Sequence, residues 1–262
     1  MELTSPEVEL YFKNGGKTAF LPAGSVEMHG PHMPNGTDTI IARAFALRMA
    51  QATDGLVLPE LSYSWAGATE GFAGTISLPP EMIMQQVTWI AEKCMKMGFQ
   101  RFVIVNVHGG SDAPMTLCVR RLYETHGIVA QYLNPFRETP PEAAKLFEGK
   151  HAVGMEASVL LAALDILGQP KLYIEKEIAY DAPLPPLLLA ANMGFMGATG
   201  FYYQDLRHHA QPTRHTSKAR GLQFIDLQVK ACTTSVQNLD RYTKLARRQK
   251  NQGWFRAEFS SS

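Results

Sequence analysis

Several features that would place this 262-residue chain in a specialised class are missing from it. Cysteine is scarce: Cys94, Cys118 and Cys232 lie far apart with no Cys-x-x-Cys spacing. That excludes a disulfide framework or a cysteine zinc knuckle and suits a reducing, intracellular setting. Charge of one sign is missing too, with 25 basic against 24 acidic residues and a net charge of +1. Basic residues are dispersed apart from Lys244, Arg247, Arg248 and Lys250, which read as the solvated end of a last helix. The sequence thus has no electrostatic footprint for nucleic acid or an anionic membrane. No apolar run approaches the roughly 20 residues of a membrane span. Residues 1–17 carry Glu2, Glu7, Glu9 and Lys13 without an apolar core segment of the signal-peptide kind. The expectation is a soluble, cytoplasmic protein acting on a small molecule.

What is present is a 45% apolar composition, enough for one large α/β domain over residues 1–262. Short apolar runs alternate with longer helical patterns, the signature of a mostly parallel sheet flanked by helices. Strands are expected at Thr18 to Leu21, Leu56 to Leu58, Phe102 to Val107 and Ile128 to Leu133. Helices are expected at Asp38 to Gln51, Pro80 to Met97, Ala113 to Thr125 and Met155 to Leu167, with helical spacing again from Ser217 to Ala246. Pro79-Pro80 and Gly98 bound the second of these helices by starting and stopping it. Residues 170–216 hold Pro183, Pro185, Pro186, three glycines and Tyr202-Tyr203, and read as a long irregular insertion of the kind that serves a site or an oligomer contact. No internal repeat or domain linker is evident.

The densest chemistry lies in Gly24-Ser25-Val26-Glu27-Met28-His29-Gly30-Pro31-His32-Met33-Pro34-Asn35-Gly36-Thr37-Asp38. If the first strand continues through Gly24, Glu27 and His29, two apart, leave the same face of it. The glycines and prolines then reverse the chain. Thr37-Asp38 stands where a helix cap belongs, which brings Asp38 back towards Glu27 and His29. Met28, between them, is expected on the apolar side. Taken singly, each residue reads as a surface charge or a cap; taken together, they place charge at a strand's carboxyl end, where open α/β sheets bind ligands.

A second strand runs into Asn106-Val107-His108-Gly109-Gly110, so Asn106 and His108 should face the same crevice, with Gly109-Gly110 admitting close approach of a ligand. His151 and Glu156 open the helix at Met155; alone, Glu156 suits a ligand role and a first-turn capping role about equally. Gly71 to Leu78, with Phe72, Thr75 and Ser77, reads either as a substrate wall or as a plain connection, and Tyr63 and Trp65 before it read as core. Charge favours two cations. Their four positive charges are offset by Glu27, Asp38, Glu156 and one bridging hydroxide, with His29 and His108 as neutral ligands. A single cation would leave excess negative charge in a partly buried site.

These motifs resemble those of the creatininase (creatinine amidohydrolase) family. The likeness runs through Gly24 to His32 with Asp38, through Asn106 to Gly110, and through His151-Ala152 with Glu156 and Ser158. Phe72-Ala73-Gly74-Thr75 is similar to the family's Phe-Pro-Gly-Thr. The resemblance implies a metal-dependent hydrolase with two divalent ions per subunit (Zn, Mn or Fe) and a homo-oligomer, often a hexamer. It implies that Glu27, Asp38 and His108 bind one metal and that His29 and Asp38 bind the other, with Asp38 bridging. Creatininase completes the second metal with an acid two residues after its strand-end histidine. That position is Gly110 here, and Glu156 is the substitute. His151 matches a histidine beside the leaving group.

Catalytic roles therefore fall to His151 and Glu156, and substrate contacts to Thr75, Ser77, Gly109, Tyr202 and Tyr203. Two departures argue against creatinine as the substrate: no tryptophan lies between Trp89 and Trp254, and Gly109-Gly110 replaces creatininase's tyrosine-glutamate pair. The expected activity is two-metal hydrolysis of a C–N bond in a small cyclic amide or formamide through the bridging hydroxide. Two alternatives stand beside it. One is hydrolytic ring opening of a carbocyclic or sugar-derived ketone, suggested by the Tyr/His-rich stretch from Gly200 to His215. The other is a non-catalytic, metal-dependent binding or assembly protein.

Overall fold

The computed structural model describes residues 2–137, 139–148, 154–169, 205 and 215–252. Four parallel strands form one sheet: β1 (Thr18–Ala23), β2 (Gly55–Val57), β3 (Arg101–Asn106) and β4 (Ala130–Leu133), in the order β2-β1-β3-β4. The α/β architecture expected from the alternating pattern is the one observed. β1 is buried along its whole length, which explains its continuous apolar run.

Strand side chains alternate between two cores. Phe20, Val103, Val105 and Val107 point to one side, where they meet helices α2 (Thr37–Thr53), α6 (Met155–Ile166) and α7 (Lys218–Gln252). Ala19, Leu21, Ala23, Phe102 and Ile104 point to the other, against α3 (Pro80–Met97) and α4 (Asp112–His126). Burial on both faces leaves only the strand ends open to polar chemistry. In register, Ala23 of β1 lies beside Asn106 of β3, so the two strands stop at the same edge.

Some elements depart from the sequence expectation. α1 (Ser5–Lys13) was not anticipated; Pro6 stands in its first turn and the Glu7 carboxylate accepts from the Thr4 amide and hydroxyl. A short α5 (Pro141–Ala144) also appears. α3 has the bounds that the Pro79-Pro80 start and Gly98 stop define, with Gly98 at a φ of 124°. α7 runs for 35 residues, six beyond Ala246, and lays Phe224, Ile225, Cys232, Val236 and Leu239 into the first core. Of the segment 170–216, only Asp205, His215 and Thr216 are among the described residues. No described helix is long and apolar enough to cross a membrane.

Candidate metal centre

β1 ends at Ala23, four residues short of Glu27, so Glu27 and His29 do not share a strand face as the two-residue spacing suggested. The turn brings them together instead. The Glu27 amide donates to the Asn35 carbonyl (2.9 Å), and His29 forms an isolated bridge with Pro31 across Gly30, whose φ is 72°. Gly24 lets α2 approach: a Cβ there would stand 2.3 Å from the Thr39 backbone nitrogen. Thr37-Asp38 is not the cap; that position falls to Gly36, with no side-chain cap bond, while the Thr37 hydroxyl donates to the Pro34 carbonyl (2.7 Å). Released from capping, Asp38 lies in the first turn of α2 with its carboxylate turned inward. Met28 is buried, as its place in an otherwise polar stretch suggested.

The cage closes around Asp38. His29 Nε2 lies 3.2 Å from Asp38 Oδ1, and His108 Nδ1 lies 3.0 Å from Asp38 Oδ2 and 2.8 Å from Glu27 Oε1. Glu156 Oε1, reaching across from the first turn of α6, stands 3.6 Å from His29 Nε2. Glu27, His29 and Asp38 can each offer a donor atom within 4.8 Å of the others. All four of Glu27, His29, Asp38 and His108 are at most 4% exposed, whereas the Glu156 side chain is 26% exposed.

Both imidazoles are oriented by main-chain carbonyls. His29 Nδ1 lies 3.0 Å from the Glu27 carbonyl, and His108 Nε2 lies 2.8 Å from the Trp65 carbonyl. A carbonyl only accepts, so those nitrogens carry the protons. The opposite nitrogens, Nε2 of His29 and Nδ1 of His108, face carboxylates, where either a second proton or a cation can sit between the two groups, the arrangement that prepares a histidine to ligate metal. The carboxylates are held as well: the Ser25 hydroxyl donates to Asp38 Oδ2 (2.7 Å) and the Thr69 hydroxyl to Glu27 Oε2 (2.6 Å).

The electrostatics of the bare cage show what it is built for. Burial works against charge on His29, but Asp38 and Glu156 outweigh it and raise its pKa well above the usual value. Burial likewise opposes charge on His108 and is outweighed by Glu27 and Asp38. Asp38 is held well below the usual carboxylate range, its burial overcome by the two histidines, and Glu27 is lowered by His108 against its own burial. Buried acids of this density require positive charge beside them. Protons on the imidazoles supply it in the bare chain; divalent cations fit the same donors. A tetrahedral ion with bonds of about 2.0–2.2 Å spaces its ligand atoms about 3.4 Å apart, and the 2.8 to 3.6 Å gaps here bracket that figure. The donor set of imidazole and carboxylate suits zinc, manganese or iron.

The remaining expected residues are placed as follows. Thr75 and Ser77 support the loops around the cage, where the Thr75 oxygen accepts from the Met28 amide (2.9 Å) and the Ser77 oxygen from the Ala66 amide (3.0 Å). Both hydroxyls thus pin main chain rather than project freely. Gly109 has open space where a side chain would be. Asn106 does not join His108 in the cage; its amide is held beneath it by His108's own carbonyl, Tyr132 and Asp112. Tyr63 is exposed and so is not the core residue expected, whereas Trp65 is partly buried and packs against the second core. His151, Tyr202 and Tyr203 lie outside the described residues.

Sequence reasoning missed Thr69, the Trp65 carbonyl, Ser25 as a partner of Asp38, and Asp112. Only Ser25 had a signal, its place within the first motif. His32, from the same motif, is 3% exposed with no partner for Nε2 among the described residues. Burial lowers its pKa, while Glu156 raises it and His29 lowers it further.

Comparison with known proteins places the chain in a family. The creatininase family profile, described as creatinine amidohydrolase, matches residues 1–233. The chain belongs to the creatininase family. It is 35% identical over 111 residues to a mycofactocin precursor peptide peptidase of Mycolicibacterium smegmatis, covering 39% of this chain and 43% of that protein. It is 32% identical over 112 residues to a creatinine amidohydrolase of Pseudomonas putida, covering 41% and 43%. A 3-dehydro-scyllo-inosose hydrolase of Thermotoga maritima is 28% identical over 90 residues, covering 34% and 29%. The match thus spans less than half the length of each of these relatives. A manganese form of creatininase superposes with a TM-score of 0.66 at 22% identity, over 90% of this chain and 96% of that one, which establishes a shared fold.

Proposed function

We propose that this protein is a metal-dependent hydrolase that cleaves an amide C–N bond in a cyclic amide, formamide or peptide-like substrate. One observation carries the reading: two buried histidines, each with one nitrogen donating to a carbonyl, aim their other nitrogens at the two oxygens of Asp38. In this proposal Glu27, Asp38 and His108 hold one divalent ion, and His29, Asp38 and Glu156 hold the second, with Asp38 shared. Zinc, manganese or iron bound there would lower the pKa of a water and polarise a carbonyl.

The chain's own residues do the rest. Ser25, Thr69 and the Trp65 and Glu27 carbonyls fix the donors so that little reorganisation is needed during turnover. Glu156, the one acid of the cage with substantial exposure, marks the side from which substrate enters. His151, by its match to the family motif, supplies a proton to the leaving nitrogen. The names peptidase and amidohydrolase among the relatives support C–N cleavage. The inosose hydrolase supports a second reading, hydrolytic ring opening of a cyclic ketone at the same centre. The proposal extends to a homo-oligomer in solution, which light scattering would test.

The test is elemental analysis of the purified protein followed by a panel of lactams, formamides, peptides and cyclic ketones. About two metal ions per chain with release of amine or formate is the expected result. Ring-opened acid from the ketones alone would transfer the assignment to the second reading. Saturating metal with no turnover on any compound would overturn hydrolysis and leave a metal-dependent binding protein.

A further inference from the structure

Joined to the cage through Asn106 is a polar cluster that the hydrolytic scheme does not use. Asp112, in the first turn of α4, is 8% exposed. Its Oδ1 accepts from the Tyr132 hydroxyl, from Asn134 Nδ2 (2.8 Å) and from Asn106 Nδ2 (3.1 Å). Its Oδ2 forms an ion pair with Arg137 Nε that is out of hydrogen-bond alignment. Burial, with Asp112 beside it, raises the Tyr132 pKa, so the phenol stays a donor. Asn106 links this cluster to the cage. Its Nδ2 also donates to the His108 carbonyl (2.7 Å), and the Ser111 hydroxyl donates to Asn106 Oδ1 (3.1 Å) and to that same carbonyl (3.2 Å).

An acid in a helix's first turn is favourable in itself, and stability of α4 would account for a lone, exposed Asp112. It does not account for a buried carboxylate that collects three side-chain donors from β3, β4 and the loop after it, one of which grips the backbone of a metal ligand. Gly110 shows how little room His108 has: a Cβ there would stand 2.5 Å from His108 Nε2 and 3.0 Å from the Trp65 carbonyl oxygen. The ring is fixed by the Trp65 carbonyl and the backbone by the Asn106 amide.

We infer that Asp112 is a positioning residue for the metal centre: by fixing the Asn106 amide it holds the His108 backbone so that Nδ1 faces Glu27 and Asp38. The inference rests on the reading of the cage as a metal site. Without Asp112, the Asn106 amide loses its charged acceptor and keeps only Ser111, Tyr132 and the His108 carbonyl, so its grip on that carbonyl loosens and Nδ1 is held less firmly in one direction. Outer-shell partners of this kind typically govern metal affinity by about 10–100-fold.

The experiment is equilibrium zinc binding to the metal-free full-length chain, in competition with a chromophoric chelator, with the melting temperature of each variant measured in parallel. Asp112→Ala is expected to weaken zinc binding by about 10–100-fold, and Asp112→Asn, which keeps an acceptor oxygen, to recover most of it. Tyr132→Phe keeps the ring but removes one donor to Asp112 and one acceptor of the Asn106 amide, loosening the same Asp112–Asn106 link, and decides the matter by a smaller loss in the same direction if Asp112→Ala fails to fold. Val236→Ala, in the core on the opposite side of the sheet, controls for lost stability: its melting temperature should fall with zinc affinity unchanged. Unchanged zinc affinity in Asp112→Ala, or in Tyr132→Phe if that variant alone folds, would overturn the inference, as would an equal loss in Val236→Ala. If the wild type itself binds no zinc, the metal-centre reading fails, a result distinct from a wild type that binds and an Asp112 variant that binds equally well.

Discussion

Asp38 touches both histidines and the Ser25 hydroxyl, so its two oxygens are the point at which the cage is joined. Asp38→Asn replaces one oxygen by an N–H group that cannot ligate, and turns an acceptor for one imidazole into a donor. The variant should keep its fold, lose bound metal by more than the roughly 100-fold typical of outer-shell changes, and lose turnover with it. Elemental analysis after dialysis checks the first loss; full metal occupancy in this variant would remove Asp38 from the centre. Gly110 is the other sensitive residue. Gly110→Ala should displace the His108 ring or strain its neighbours by about 1–3 kcal/mol, visible as a lower melting temperature together with weaker metal binding. The His108 ring and the Trp65 carbonyl take the space that a side chain at this position would need. At this scale the sequence displayed Glu27, His29, Asp38 and His108 because their types are rare together in so short a span. It did not display Thr69 or Asp112, whose types are common and whose partners lie 42 and 6 to 25 residues away.

Among the elements, α7 is tied to the sheet by one ion cluster. Asp240 accepts from Arg101 Nε and Nη2 at the start of β3 (both 2.8 Å) and from Lys17 Nζ (2.8 Å). Arg101 holds the Asp240 carboxyl well below the usual carboxylate range, outweighing the opposing effect of burial, and Lys17 adds to the lowering. A carboxyl whose pKa is lower folded than unfolded binds fewer protons in the native state. Its contribution is therefore present in full above the unfolded value of about 3.9 and disappears as the pH falls through the folded value. The Asp240 side chain is 34% exposed, so solvent screening keeps the contribution to about 1 kcal/mol or less. Asp240→Asn should thus be less stable than the wild type at pH 7, with the difference shrinking as the pH falls below about 3.9 in urea titrations. A constant difference across that range would mean that the ion cluster does not act through charge. Elements were legible where punctuation was strong, as in α3 between Pro80 and Gly98. α1 escaped notice although Thr4, Pro6 and Glu7 carry its start signals, because none of its residues is buried and so no apolar stripe marks it.

For the molecule as a whole, two cores on opposite faces of a buried sheet enclose all three cysteines. Burial pushes the Cys94 thiol up to about 11 and raises that of Cys118. A thiol reagent at pH 8 should therefore find almost no reactive cysteine in the native protein and all three after denaturation; rapid labelling under native conditions would mean that the cores open readily. Metal should stabilise the whole fold by linkage, about 2.7 kcal/mol at a free concentration of 100 times Kd, so a chelator should lower the melting temperature and added zinc or manganese restore it.

The sequence by itself determined the parallel α/β architecture, because periodicity records which faces are buried, and it determined the family, because the motif residues are sparse enough to stand out. It also marked the polar strand ends as the place for chemistry. Only the tertiary structure decided how the donors meet. β1 stops before Glu27, α2 begins at Thr37 with Asp38 freed from capping, and Trp65, Thr69 and Asp112 arrive from distant segments to orient what the motifs supply. Hydrogen-bond direction and the closeness of Gly24 and Gly110 to their neighbours depend on positions in space, which no one-dimensional pattern records.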